Sequence, residues 1–184
     1  MISVFNQIET IQEKIKQTIV EKELLCKAIS YPFPNFNTMD RVKNPYSLFQ
    51  TLPVLSNNGQ PIVPRIYFQP KAFEVIEDVG TKILISIFTS SITNRINSQR
   101  VSIVFTVGIH NSCITTDLGS RFNIIMELLD STLNGNTDVG KGFPLICKGV
   151  KDVGVQKEYY MRNLVYTGVI THTHNYNNNH KFDT

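Results

Sequence analysis

Two patterned stretches decide most of what this chain can become. Residues 81–92 read Thr-Lys-Ile-Leu-Ile-Ser-Ile-Phe-Thr-Ser-Ser-Ile, and residues 100–110 carry Val101, Ile103, Phe105, Val107 and Ile109 at every second position. A period of two puts such side chains on one face of a strand. Ile83, Ile85 and Ile87 answer them in the first stretch, while Leu84 and Phe88 make its other face partly apolar. The polar residues Thr93 to Gln99 read as a tip, so the two stretches pair as an antiparallel hairpin. Val101, Ile103, Phe105 and Ile109 are the expected core.

The flanking segments read differently. In residues 4–31, Ile8, Ile11, Ile15, Ile19 and Leu24 recur at steps of three and four, the spacing of a helix with one apolar face, and Pro32 and Pro34 end it. Six of the eight prolines fall between residues 32 and 64, which speaks against regular strands there. Within that stretch Asn44 and Pro45 can open a short helix over Pro45–Phe49, and Asn57-Asn58-Gly59 is a tight turn. Residues 65–69 read as a short strand. A second helix is expected over 117–134, capped by Thr116 or Asp117, with Leu118, Phe122, Ile125, Leu129 and Leu133 on one face and Gly135 after it. Residues 144–155 and 158–171 form a last strand pair. The expected architecture is α+β: a largely antiparallel sheet of hairpins, with a long N-terminal helix and a second helix packed on it. Residues 1–171 make one domain, with 32–64 as a proline-rich loop or arm, and 172–184 are a polar tail.

Composition excludes several classes of function. Lys+Arg 18 against Asp+Glu 15 leaves +3, too weak a field for a dedicated nucleic-acid binder. Charged residues are only 18% of the chain, which suits a subunit that buries much of its surface against partners. No apolar run approaches the roughly 18 residues of a membrane span, so no membrane partner is expected. Cys26, Cys113 and Cys147 are far apart and contain no CxxC pair, so they read as free thiols. No phosphate-binding or nucleophile-elbow motif is present.

Few residues suggest chemistry. His172, His174 and His180, with Asp183, are the one ligand-like cluster, and an Asn-rich disordered tail explains them better than a metal. His110 and Cys113 lie three apart at a strand end with no obvious orienting acid, which favours a structural histidine over a nucleophilic pair. Arg95, Arg100 and Arg121 with Lys82 make a basic set without interleaved aromatics, better suited to a solvated face or subunit salt bridges than to stacking nucleic acid. Tyr46, Leu48 and Phe49 are apolar side chains on the proline-rich stretch that need a partner surface. Tyr46, Leu48, Phe49, Arg95 and Arg100 are therefore the expected subunit-interface residues. No catalytic, cofactor-binding or metal-binding residue is expected, and no cofactor.

The order of segments resembles tail-terminator and neck-completion ring proteins of tailed bacteriophages. The features that carry it are Asn44-Pro45-Tyr46-Ser47-Leu48-Phe49 after the first helix and Pro64-Arg65-Ile66-Tyr67-Phe68-Gln69-Pro70 leading into the sheet. The long hairpin ending at His110 follows, then Leu118-Gly119-Ser120-Arg121 opening a helix that finishes at Leu133-Asn134-Gly135. Gly140-Lys141-Gly142-Phe143 then precedes the closing strands. The likeness spans most of residues 4–171. It implies an α+β virion subunit, not an enzyme, assembled in the host cytoplasm into a ring that joins the tail tube to the connector. A ring of six is expected, with twelve the other possibility. Its partners are neighbouring tail-tube and neck proteins, and DNA passes through the lumen without specific binding. The alternative is a small enzyme or a nucleic-acid-binding accessory protein.

Overall fold

The computed structural model describes residues 4–49, 54–55, 61–62, 64–68, 79–92, 95–140, 142, 144–156 and 158–171. Helix α1 spans Val4–Val20 and α2 spans Glu23–Ser30. The expected single helix over 4–31 is thus two. The chain turns at Glu21 and Lys22, where the amide of Lys22 bonds the carbonyl of Ile19 at 3.0 Å. The turn resets the helical phase. Leu24, expected on the apolar face, is exposed, while Leu25, Cys26, Ala28 and Ile29 are buried. A short 3-10 turn, Phe36–Thr38, and another, Pro45–Phe49, follow. In the second, the Asn44 carbonyl accepts from both the amide and the hydroxyl of Ser47.

Strands β1 (Val54–Leu55) and β2 (Pro61–Ile62) form a two-stranded ribbon within the proline-rich stretch, where no regular strand was expected. The Asn57-Asn58-Gly59 turn lies outside the described residues. The main sheet has five strands in the order β3-β4-β5-β9-β8, with β3 at Ile66–Tyr67, β4 at Thr81–Ile92, β5 at Arg95–His110, β8 at Ile146–Gln156 and β9 at Tyr159–Thr171. It is a mixed sheet. β3 lies parallel to β4, and the other neighbours pair antiparallel.

Register follows from burial. Ile83 opposes Val107, Ile85 opposes Phe105 and Ile87 opposes Ile103, so this face of the β4–β5 pair is apolar along these positions. Leu164, Tyr166 and Ile170 of β9 extend that face. A slip of one residue would turn every one of these side chains outward. Ile92 pairs with Arg95, so β5 starts well before the expected residue 100, and Thr93 and Asn94 of the expected tip lie outside the described residues. Ser90, Ser91 and Arg100 are exposed at that end of the sheet, and polar residues are therefore tolerated within the strands there.

The described helices cover one face of the sheet. Ile11, Ile15 and Ile19 of α1, Leu25 and Ile29 of α2, and Phe122, Ile125, Leu129 and Leu133 of helix α3 (Arg121–Leu133) close over the apolar face as one core. Helix α3 starts later than expected because β6 (Thr115–Thr116) and β7 (Gly119–Ser120) form a small hairpin before it. Gly119 adopts φ 107, a conformation that favours glycine. Leu118 sits at that turn, exposed rather than in the core. Val101, Ile103, Phe105 and Ile109 are fully buried as expected, and the Phe105 ring meets Tyr166 edge-on at 5.8 Å. Gly168 in β9 is a packing glycine: a Cβ there would stand 3.1 Å from Leu145 Cδ2.

Candidate functional site

The structure does not bring the expected basic set together. Lys82 is fully buried, with its ammonium 4.5 Å from the centre of the Tyr159 ring. Arg121 is also fully buried. Arg100 is exposed, and the Arg95 side chain lies outside the described residues. Among the described residues, Lys82, Arg100 and Arg121 therefore form no common patch.

Arg121 has a different task. Its Nε donates to the Cys113 carbonyl at 2.7 Å, Nη1 to those of Ala28 and Tyr31 at 2.9 and 2.6 Å, and Nη2 to those of Pro32 and Phe33 at 3.1 and 2.6 Å. All five guanidinium donors meet backbone oxygens, and the Phe36 ring lies 4.9 Å away. Helix α2 ends among those carbonyls, so the cation also faces the negative end of its dipole. Burial pulls the Arg121 pKa down from its ordinary value, and the neighbouring Cys113 thiol opposes that pull. The residue is a clamp that holds the end of α2, the loop after it and the start of α3.

His110 differs from the sequence reading in its partners. Its Nδ1 lies 2.7 Å from Ser112 Oγ, and its Nε2 lies 2.7 Å from Glu158 Oε2. The backbone amide of Ser112 also donates to Nδ1, at 3.3 Å. That makes Nδ1 the acceptor and leaves the proton on Nε2, directed at Glu158. The Cys113 thiol is buried, and it is the Ser112 hydroxyl that reaches the imidazole. Hydroxyl, imidazole and carboxylate in a row make an acylation relay when a cleft and an oxyanion site adjoin them. Glu158 is 69% exposed here, and two grooves of about 360 and 470 Å³ elsewhere are lined by other residues. The relay acts as a fastener. The ring caps the 3-10 turn Asn111–Cys113 and ties the end of β5 to the β8–β9 turn. Glu158 lies 48 residues from His110, and no local pattern in the sequence announces the pairing.

The expected interface residues divide. Tyr46 is half-exposed. Leu48 is buried and Phe49 stacks on Phe68 at 6.0 Å, so the surface these two needed is the chain's own core. Among the described residues no group of three His, Cys, Asp or Glu is placed to hold a metal. His172, His174, His180 and Asp183 lie outside the described residues.

The surface with the clearest unmet need is strand β8. It is an edge of the main sheet, eleven residues long, and only Cys147 and Gln156 are even partly covered. Ile146, Val150, Val153 and Val155 are 48–59% exposed, and Tyr160 beside them on β9 is 45% exposed. The sheet runs past the helical layer here, so the strand is bare on both faces. Register shifts at Cys147/Gly149 and Asp152/Gly154 bend it, with φ 116 at Gly149 and φ 118 at Gly154. Arg162 of β9 bonds Asp152 at 2.7 Å and lies over the Phe122 ring, anchoring β8 to the rest of the domain.

Residues 22–168 match the model of the YomW family. The chain belongs to the YomW family. A search among curated proteins finds no match.

Proposed function

We propose that this YomW-family chain is a structural virion protein that forms an oligomeric ring at the head–tail neck, or at the head-proximal end of a phage tail. There it acts in the manner of a tail terminator and joins the tail tube to the connector. The observation that carries the reading is β8. A long edge with four large aliphatic side chains in water is an aggregation hazard on a monomer and a contact surface on a ring subunit. Its two bulges and the lysines Lys148 and Lys151 guard it against indiscriminate strand pairing, leaving it to a matched neighbour. The family is of a Bacillus phage type, which agrees with a virion role.

In this reading the ring has six subunits, with twelve the other possibility, and its neighbours are tail-tube and neck proteins. DNA passes the lumen without specific contacts, and the chain performs no catalysis and needs no cofactor. Arg95, Arg100 and the exposed Tyr46 remain secondary contacts. Association costs roughly 4–15 kcal/mol in lost freedom, so each contact should bury on the order of 1,000 Å². Native mass spectrometry of the purified chain, and detection of the chain in purified virions, test the proposal. A six- or twelve-fold assembly present in virions supports it. A stable monomer absent from virions refutes it.

A further inference from the structure

A groove of about 470 Å³ opens where β8 begins, bordered by β5 and the end of β9. Arg100, Lys148 and Thr167 supply its polar groups, and Pro144, Ile146 and Val169 its apolar wall. No carboxylate lines it. Arg100 and Lys148 are both exposed, and neither side chain has an ion-pair partner among the described residues. Some other cations of the chain are matched: Lys27 with Glu23, Arg162 with Asp152, and Arg121 with five carbonyls. Two unmatched cations on one groove, with aliphatic surface between strands, are the complement of an acidic chain that also carries apolar side chains.

We propose that this groove binds an extended, carboxylate-bearing polypeptide segment of a neighbouring protein. Carboxylates meet the Arg100 guanidinium, whose fork donates two parallel N–H bonds to them, and the Lys148 ammonium. Alternate aliphatic side chains lie on Ile146 and Val169. A polypeptide fits better than a nucleic acid. Two cations neutralise only two phosphates, and the groove holds no aromatic ring on which a base would stack. The inference deepens the ring reading, and rests on it for the identity of the neighbour as a neck or tail protein.

The probe is a fluorescein-labelled decapeptide of alternating glutamate and valine, followed by anisotropy with the full chain. Its glutamine counterpart and a labelled single-stranded DNA decamer serve as comparisons. The acidic peptide should bind about tenfold or more tightly than the glutamine peptide, as expected when two charge-assisted bonds are lost, and binding should weaken as salt rises. The double variant R100E/K148E should lose at least that factor while its circular dichroism and melting stay unchanged, because both side chains are exposed. The single variant K148Q, which removes one charge without reversing it, should lie between. No binding of the acidic peptide, equal binding of the glutamine peptide, unchanged binding by R100E/K148E, or tighter binding of the DNA each overturns the proposal. Native mass spectra of the same samples separate the two readings: a ring that ignores the peptide sinks the groove alone, and a monomer that binds it sinks the ring alone.

Discussion

Replacing Arg121 tests the central clamp of the fold. The guanidinium satisfies five backbone carbonyls, those of Ala28, Tyr31, Pro32, Phe33 and Cys113. In Arg121→Met the side-chain volume stays roughly the same and every donor disappears. A buried acceptor left unmet costs about 1–3 kcal/mol, whereas one that water can reach costs far less. The bonds to Ala28 and Cys113 are wholly buried, and the other carbonyls lie nearer the surface. Two buried losses, three smaller ones and the lost contact with Phe36 outweigh the relief of returning a desolvated cation to water. The net expectation is about 3–5 kcal/mol, the range seen when one side of a buried charge contact is removed. For a domain of this size that lowers the melting temperature by roughly 8–15 °C. Arg121→Lys keeps the charge but offers three donors from one point, and should recover less than half of the loss. Differential scanning calorimetry of the three proteins measures this. A methionine variant as stable as the parent, or a lysine variant within about a degree of it, refutes the clamp.

Three further outcomes follow from the packing. Phe105→Ala removes a fully buried ring that meets Tyr166 edge-on and should cost about 3–5 kcal/mol by urea titration; less than 1 kcal/mol defeats the placement. Burial pushes the Cys26 thiol up to about 11, so the folded chain keeps a proton that the unfolded chain releases near pH 9. Stability therefore falls by about 1–2 kcal/mol as pH rises from 9 to 11, and Cys26→Ala should remove that part of the slope while leaving stability below pH 8 free of it. Val150→Lys with Val155→Lys should break up a β8-mediated assembly in native mass spectra with little change in melting, because both positions are exposed in the subunit; an intact ring would place the contact elsewhere.

The parts of the fold that were legible are those where one physical demand acts alone. Burial of one face made the alternation in β4 and β5 strict, and the core list Val101, Ile103, Phe105 and Ile109 followed from it. The break between α1 and α2 was hidden because Glu21 and Lys22 are good helix formers, and only tertiary packing turns the chain there. The late start of α3 did carry a signal in Gly119, placed inside the expected helix at a position that needs a positive φ. Arg121 carried one too. It is the first residue of α3, where the helix dipole disfavours a cation, and a charge set against the dipole must answer to something else. The clamp on α2 is that demand, yet its acceptors lie up to 93 residues away and no local spacing reveals them.

Strand β8 shows why the functional surface was harder to read than the core. Its sequence, Ile-Cys-Lys-Gly-Val-Lys-Asp-Val-Gly-Val-Gln, has no clean alternation because neither face of the strand is buried and its two bulges shift the phase. A pattern reader sees a weak strand, and only the sheet order shows that it is an edge. That order also bears on symmetry. Among the described residues one side of the main sheet ends in the eleven residues of β8 and the other in the two of β3. Two such unlike edges do not make a self-complementary pair. A contact between β8 and a different surface of the next copy is head-to-tail, and head-to-tail contacts build rings when the rotation closes and filaments when it does not. A two-fold dimer through β8 would instead consume the edge and leave no surface for further growth. The number of copies in the purified assembly therefore discriminates between them: a dimer that adds nothing at higher concentration would turn the argument from unlike edges against the ring.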